Sequence, residues 1–240
     1  MKRSSFLAAT SASLVTIGAA AQAAKAAQAV PGGTHLVERH ADFNAEAFGR
    51  IVGRPAEIRE LFEAIAFHPL YLANVKNALN GLHFGFGYPA DRIAVVAAAH
   101  GPSSAYTYSD YLWSKYHIGK AFKLKDMQGD LVTSNVFLKP NHAIDASADP
   151  DDEKSIYQDT SIQTLQKRGV IFLTCHTAVE EQSRALVKGG FAPSGMTPKD
   201  VADDILTHLI PGAVVVPSMV ATVAVLQARY HYTYAALTFA

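Results

Sequence analysis

Seven consecutive apolar residues, Ile93–Ala99, constrain this chain most. A strand with one face in water alternates polar and apolar side chains. An unbroken run fits a strand covered on both faces, as in a parallel sheet. Residues 170–174 (Val-Ile-Phe-Leu-Thr) and 213–216 (Ala-Val-Val-Val) have the same character. Each of the three runs leads into helix signals. After His100-Gly101-Pro102, Ser103 or Ser104 can cap an aromatic-rich helix through Tyr111, Trp113 and Ile118, a stripe that reads as core packing. After Cys175-His176, Thr177-Ala178-Val179-Glu180 has capping-box spacing, so a helix should begin at once. After Pro217-Ser218, a helix carries Val220, Val223, Ala224 and Leu226. Strands alternating with helices predict a three-layer α/β/α sandwich around a mostly parallel sheet.

The other elements are read the same way. Arg54-Pro55 reads as a helix start, with proline near the first turn and Ile58, Leu61, Phe62 and Ile65 as the apolar stripe. A second helix carries Leu72, Val75 and Leu79 and stops at Gly81. Residues 129–154 read as a long loop, with Leu131-Val132 and Val136-Phe137-Leu138 as a short strand. A helix is expected over 155–167, with Ile156, Ile162 and Leu165 inward. Thr197-Pro198-Lys199-Asp200 starts another, with cap, proline and first-turn acid in order. Tyr230, Tyr232 and Tyr234 alternate with His231 and Thr233, a closing strand near an edge.

A chain of 240 residues has room for one sizeable domain plus extensions. Its 21 Lys and Arg balance 21 Asp and Glu, which argues against a nucleic-acid surface. The first residues read as an export signal: Lys2-Arg3, an apolar stretch over 6–21 too short to span a bilayer permanently, then Ala21-Gln22-Ala23, with Ala27-Gln28-Ala29 as a second cleavage site. The expectation is a signal peptide over 1–29, of Sec or degenerate twin-arginine type, an extension with one helix over 30–69, and an α/β domain over 70–240 in the periplasm.

In open α/β sheets, ligands bind outside the carboxyl ends of the strands. His100, Cys175-His176 and Pro217-Ser218 all stand at such ends. Cys175 is the single cysteine, so no internal disulfide or paired-cysteine metal motif is possible. Between a strand and the first turn of a helix, its thiolate is favoured by the helix pole. His100 or His176 can serve as the base. No second cysteine is present to resolve an oxidised sulfur, so transfer would need a partner protein or a small thiol. Cys175, His100 and His176 are therefore the candidate catalytic residues. Gly101, Thr177, Ser218, Asn80 and His142 are the candidate substrate contacts, and no cofactor or resident metal is expected. Three alternatives stand beside this one. Cys175 with His100, His142 and His176 could bind copper, zinc or a small ligand, although no His-x-x-x-His pair occurs there. Cys175 and His100 could form a hydrolase, for which no third orienting residue is identifiable. Cys175 could also be a buried core thiol.

Several segments share an order and spacing: Asn77-Ala78-Leu79-Asn80; Val95-Val96 leading to His100-Gly101-Pro102; Leu165-Gln166-Lys167-Arg168-Gly169-Val170 leading to Cys175; Leu209-Ile210-Pro211-Gly212 before Val214-Val215-Val216-Pro217-Ser218; and Leu226-Gln227 running to Tyr232. Together these resemble the DsrE/DsrF-like sulfur-relay family, specifically its exported, signal-bearing members, over roughly residues 70–240. The resemblance implies a YchN-type α/β sandwich assembled as trimers or hexamers. It also implies sulfur carried as a persulfide on Cys175 and passed to or from a partner. There are two departures from the pattern: His176 and Thr177 follow the cysteine where Asn or a small polar residue is common, and Met219 stands where the last helix commonly has glycine. Residues 230–234 are the expected subunit contacts.

Overall fold

The computed structural model describes residues 43–140, 154 and 159–237. The expected export signal and His142 lie outside these residues. Five strands form one sheet: β1 (Ile58–Ala64), β2 (Ile93–Ala99), β3 (Ile171–Cys175), β4 (Val214–Val216) and β5 (Thr233–Ala236). Their spatial order is β4-β3-β2-β1-β5, and every pair is parallel. The three apolar runs are neighbours at one side of this sheet. The central one, β2, is buried along its whole length, as an unbroken run requires.

Helices cover both faces. One face packs Phe62, Val95, Ala97 and Phe172 beneath Leu72 and Val75 of α2 (Leu70–Asn80) and Ile162 and Leu165 of α5 (Ile162–Lys167). The other packs Leu61, Val96, Ala98, Leu173 and Cys175 against Phe48 and Val52 of α1 (Ala45–Val52) and Met219 and Leu226 of α8 (Met219–Tyr230). A third cluster joins α3 (Asp110–Lys115) and α4 (Ile118–Phe122) to α6 (His176–Lys188) and α7 (Pro198–Thr207), around Trp113, Tyr116, Val179 and Ile205. The three-layer α/β/α sandwich is thus present. Among the described residues, no helix is long and apolar enough to cross a membrane.

The helix expected at Arg54 is instead the strand β1, paired on both sides. Leu61 and Phe62 point to opposite faces and enter different clusters, which adjacent helix positions would not do. Ile65, read as part of the stripe, is 60% exposed. Arg54 does not open a helix. Its guanidinium donates to the carbonyls of Asp91 and Ile93 and ties β1's approach to the start of β2. Over 30–69, the described residues therefore supply a central strand as well as the helix α1, whose N-cap Asn44 accepts from the Ala47 amide.

Other boundaries differ too. α2 does not stop at Gly81 but widens into a π-helical turn, Gly81–Gly85. The aromatic segment begins as a 3-10 stretch, Gly101–Thr107, before α3. Leu131 and Val132 form no strand. Leu131 makes an isolated bridge with Lys125, and the Val132 amide donates to the carbonyl of Leu124. Residues 136–138 are also non-strand. The helix expected over 155–167 is described from Ile162, capped by the Ser161 hydroxyl; 155–158 lie outside the described residues. α7 starts with the expected Thr197 cap, Pro198 and Asp200, and Thr197 and Asp200 further form a capping box. The closing strand is real and at an edge, but shorter than the tyrosine alternation, since Tyr230 ends α8.

Candidate functional site

Cys175 is the last residue of β3 and also the N-cap of α6. Its sulfur accepts the amide of Ala178, at 3.4 Å, in the capping geometry expected of a serine or threonine hydroxyl. The capping-box spacing of Thr177 therefore does not mark the helix start, which lies two residues earlier. The Thr177 hydroxyl donates instead to the carbonyl of Pro217, 3.0 Å away, tying α6 to the end of β4. That tie brings the start of α8 over Cys175. The Met219 amide donates to the same sulfur at 3.3 Å, and Ser218, its neighbour, is the N-cap of α8. One sulfur thus receives amides from the first turns of two helices, of thirteen and twelve residues. Both N-terminal poles favour negative charge at that point. Met219 takes part through its backbone, while its side chain fills the cluster below the sheet.

Cys175 is 4% exposed. The Met219 turn and the apolar cluster close over it. Two concavities among the described residues lie elsewhere. One of about 430 Å³ is bounded by His68, Pro102, Lys123 and Met127. The other, of about 490 Å³, is bounded by Gly49, Arg59, Arg229 and His231.

His100 follows β2 at the same level. Paired residues Ala99 and Thr174 precede His100 and Cys175, so the register continued one residue past β2 sets the two backbones level, roughly 4.8 Å apart, with Sγ facing Met219 and Nε2 facing Glu63. Alternation puts them on one face, because Ala98 and Leu173 share the cluster that contains Cys175. His100 Nε2 lies 2.9 Å from Oε1 of Glu63, with each side chain only 14% exposed. Glu63 Oε2 accepts the hydroxyl of Tyr234 from the edge strand. Tyr234 is level with Leu61, and so on the same face. Cys175 on β3, His100 just past β2, Glu63 on β1 and Tyr234 on β5 therefore lie on one face of the sheet, with the Tyr234 hydroxyl reaching up to Glu63 from one pair of residues lower.

Gly101 comes next, at φ 57°, a conformation that favours glycine. Its carbonyl accepts the amide of Gln182 from α6, and Gln182 in turn accepts the hydroxyl of Tyr108. Burial, with Cys175 nearby, raises the Tyr108 phenol well above its ordinary value, so it stays a donor. His176 occupies the first position of α6, and its Nδ1 is buried without a hydrogen-bond partner among the described residues.

The site thus gathers Cys175, His100, His176, Gly101, Thr177 and Ser218. Asn80 is not among them. α2 runs back from the carboxyl end of β1 over the opposite face, so its last residue lies at the other end of the sheet. Both polar atoms of the Asn80 side chain are buried there without partners among the described residues. Sequence reasoning missed Glu63, Tyr234 and Gln182. The available signal was Glu63 itself, a carboxylate within Leu61-Phe62-Glu63-Ala64 that is costly on a central strand unless paired. No group of three or more residues suited to a metal ion occurs among the described residues.

No protein-family model matches this chain, and neither a curated protein nor a solved structure does.

Proposed function

We propose that the chain is a sulfur carrier, with Cys175 accepting a sulfane sulfur as a persulfide and releasing it to a partner protein or small thiol. The observation that carries this reading is the pair of amides, from Ala178 and Met219, aimed at one sulfur. Backbone donors there stabilise a thiolate, the form that attacks and is regenerated in such exchange. The Cys175 thiolate attacks the outer sulfur of a donor persulfide. The bond between the donor's two sulfurs breaks, the donor leaves as a thiolate, and Cys175 retains the terminal sulfur. With one cysteine in the chain, no internal disulfide can end the cycle. Burial shields the resting sulfur, so exchange requires the Met219 turn to move aside. The same reading places the chain in the periplasm, exported on residues 1–29 and assembled as a trimer or hexamer through residues 230–234.

The test is the intact mass of protein incubated with a low-molecular-weight persulfide, before and after a reductant. A reductant-sensitive gain of one sulfur, absent in Cys175→Ala, is expected. A Cys175 that takes up no sulfur and is alkylated only after denaturation overturns the reading. One observation favours a second reading, a copper, zinc or small-ligand site: the unpartnered Nδ1 of His176 beside Cys175. Stoichiometric metal in the purified protein would select it.

A further inference from the structure

We infer that Glu63 and Tyr234 are positioning residues for His100, and that the three form, with Cys175, an activated-thiol arrangement built across four strands. The inference deepens the proposed sulfur chemistry and rests on that reading for its biological meaning. Its own basis is geometric. An activated nucleophile needs a base beside it and a third group that orients the base. The strand register sets His100 next to Cys175 on one sheet face, and Glu63 holds the imidazole at 2.9 Å through Nε2. A carboxylate there keeps the ring proton on Nε2 and leaves Nδ1 as the accepting nitrogen. Nδ1 meets the Ser103 amide of its own turn, so the Cys175 thiol passes its proton there once that turn and the Met219 turn open. This leaves a thiolate that the amides of Ala178 and Met219 receive, and an imidazolium whose charge Glu63 offsets.

Tyr234 completes the arrangement. Its hydroxyl occupies the Glu63 oxygen that His100 does not use, so the carboxylate cannot rotate away from the ring without losing a second hydrogen bond. Pairing of β5 with β1 along Glu60–Thr233 to Glu63–Ala236 sets the reach of that hydroxyl. The edge strand thereby acts on the thiol two strands beyond β1.

The test combines a spectroscopic signature with a rate. Long-range proton–nitrogen spectra of the histidine rings should show His100 in the Nε2–H tautomer in the native chain. They should show it in Glu63→Gln, which keeps an acceptor oxygen, but mixed tautomers in Glu63→Ala. Alkylation of Cys175 in folded protein at neutral pH should slow about ten-fold in His100→Ala and Glu63→Ala. It should slow less in Glu63→Gln and Tyr234→Phe. Folded Glu63→Ala with an unchanged tautomer or an unchanged rate overturns the inference. If the rates and tautomers respond as stated but the native chain takes up no sulfur, the sulfur-carrier reading fails and the positioning roles stand.

Discussion

The sulfur of Cys175 lies 3.3 Å from the backbone nitrogen of Met219, 44 residues further along the chain. That single contact joins the ends of β3 and β4 at the point where both of their helices begin. Met219→Pro removes the amide hydrogen while keeping a residue suited to the first position of a helix. Met219→Ala keeps the amide and removes the same buried side chain. At neutral pH, Cys175 in Met219→Pro should alkylate about ten-fold more slowly than in Met219→Ala, the size expected for losing one hydrogen bond to a charged group. Equal rates would show that the amide does not act on the thiolate.

Removing residues 1–69 tests the place of β1. The shortened chain would keep the whole of the expected α/β domain over 70–240, yet lose the strand between β2 and β5. It should fail to fold, with circular dichroism showing no cooperative thermal transition. A cooperative transition and a compact elution volume would show that the sheet closes without β1.

The strands next to Cys175 were legible because an apolar run followed by capping residues is a local signal. Glu63 was hidden because Ile58, Leu61, Phe62 and Ile65 match a helical stripe as well as a strand buried on both faces. Deciding between them needs the neighbours β2 and β5, which are distant in sequence. Tyr234 was visible as part of a closing strand, but nothing local says that this strand returns to β1. Asn80 was expected at the site as part of the Asn77-Ala78-Leu79-Asn80 segment before β2. The direction of α2, which spacing does not report, carries it to the far end. The burial of Cys175 follows from Met219, whose amide folds over the sulfur in a contact made only in three dimensions.

Gly119 offers a packing test. A Cβ there would lie 1.5 Å from the carbonyl oxygen of Val132 and 2.7 Å from its carbon, both backbone atoms that cannot swing aside. Gly119→Ala must push the 124–132 turn away from α4, and should cost about 3 kcal/mol or more, at the upper end of overpacking effects. Urea denaturation would measure it. A loss under about 1 kcal/mol, a typical single-substitution effect, would show that the turn yields freely.

Asp204 gives a pH dependence. Burial alone would raise its carboxyl, but hydrogen bonds from Tyr116 at 2.7 Å and Lys115 at 2.9 Å outweigh it and hold the group below its ordinary 3.8. A carboxyl lowered in the folded state contributes stability above its unfolded value and loses it as pH falls through the folded one. Asp204→Asn should therefore cost about 1–2 kcal/mol at neutral pH. The gap to the native chain should close below about pH 4, near the ordinary carboxylate value. Melting temperatures across that range would check it, and a gap that stays constant with pH would refute it.

The last strand crosses a long way to its place. β4 lies at one edge of the sheet and β5 at the other, and α8 carries the chain between them beneath the central strands. The hydrogen bond from Tyr234 to Glu63 closes a loop of 171 residues, and contacts so far apart in sequence are slow to form. The order of assembly is then built into the topology. The cradle of Cys175 uses neighbours up to 44 residues away and the hold of Glu63 on His100 spans 37, so both can form early, whereas the Tyr234 lock on Glu63 waits for β5. The edge strand that fixes the Glu63 carboxylate is thus the part of the arrangement most remote in sequence, and its loss would leave the sulfur and the histidine each with its nearer partners.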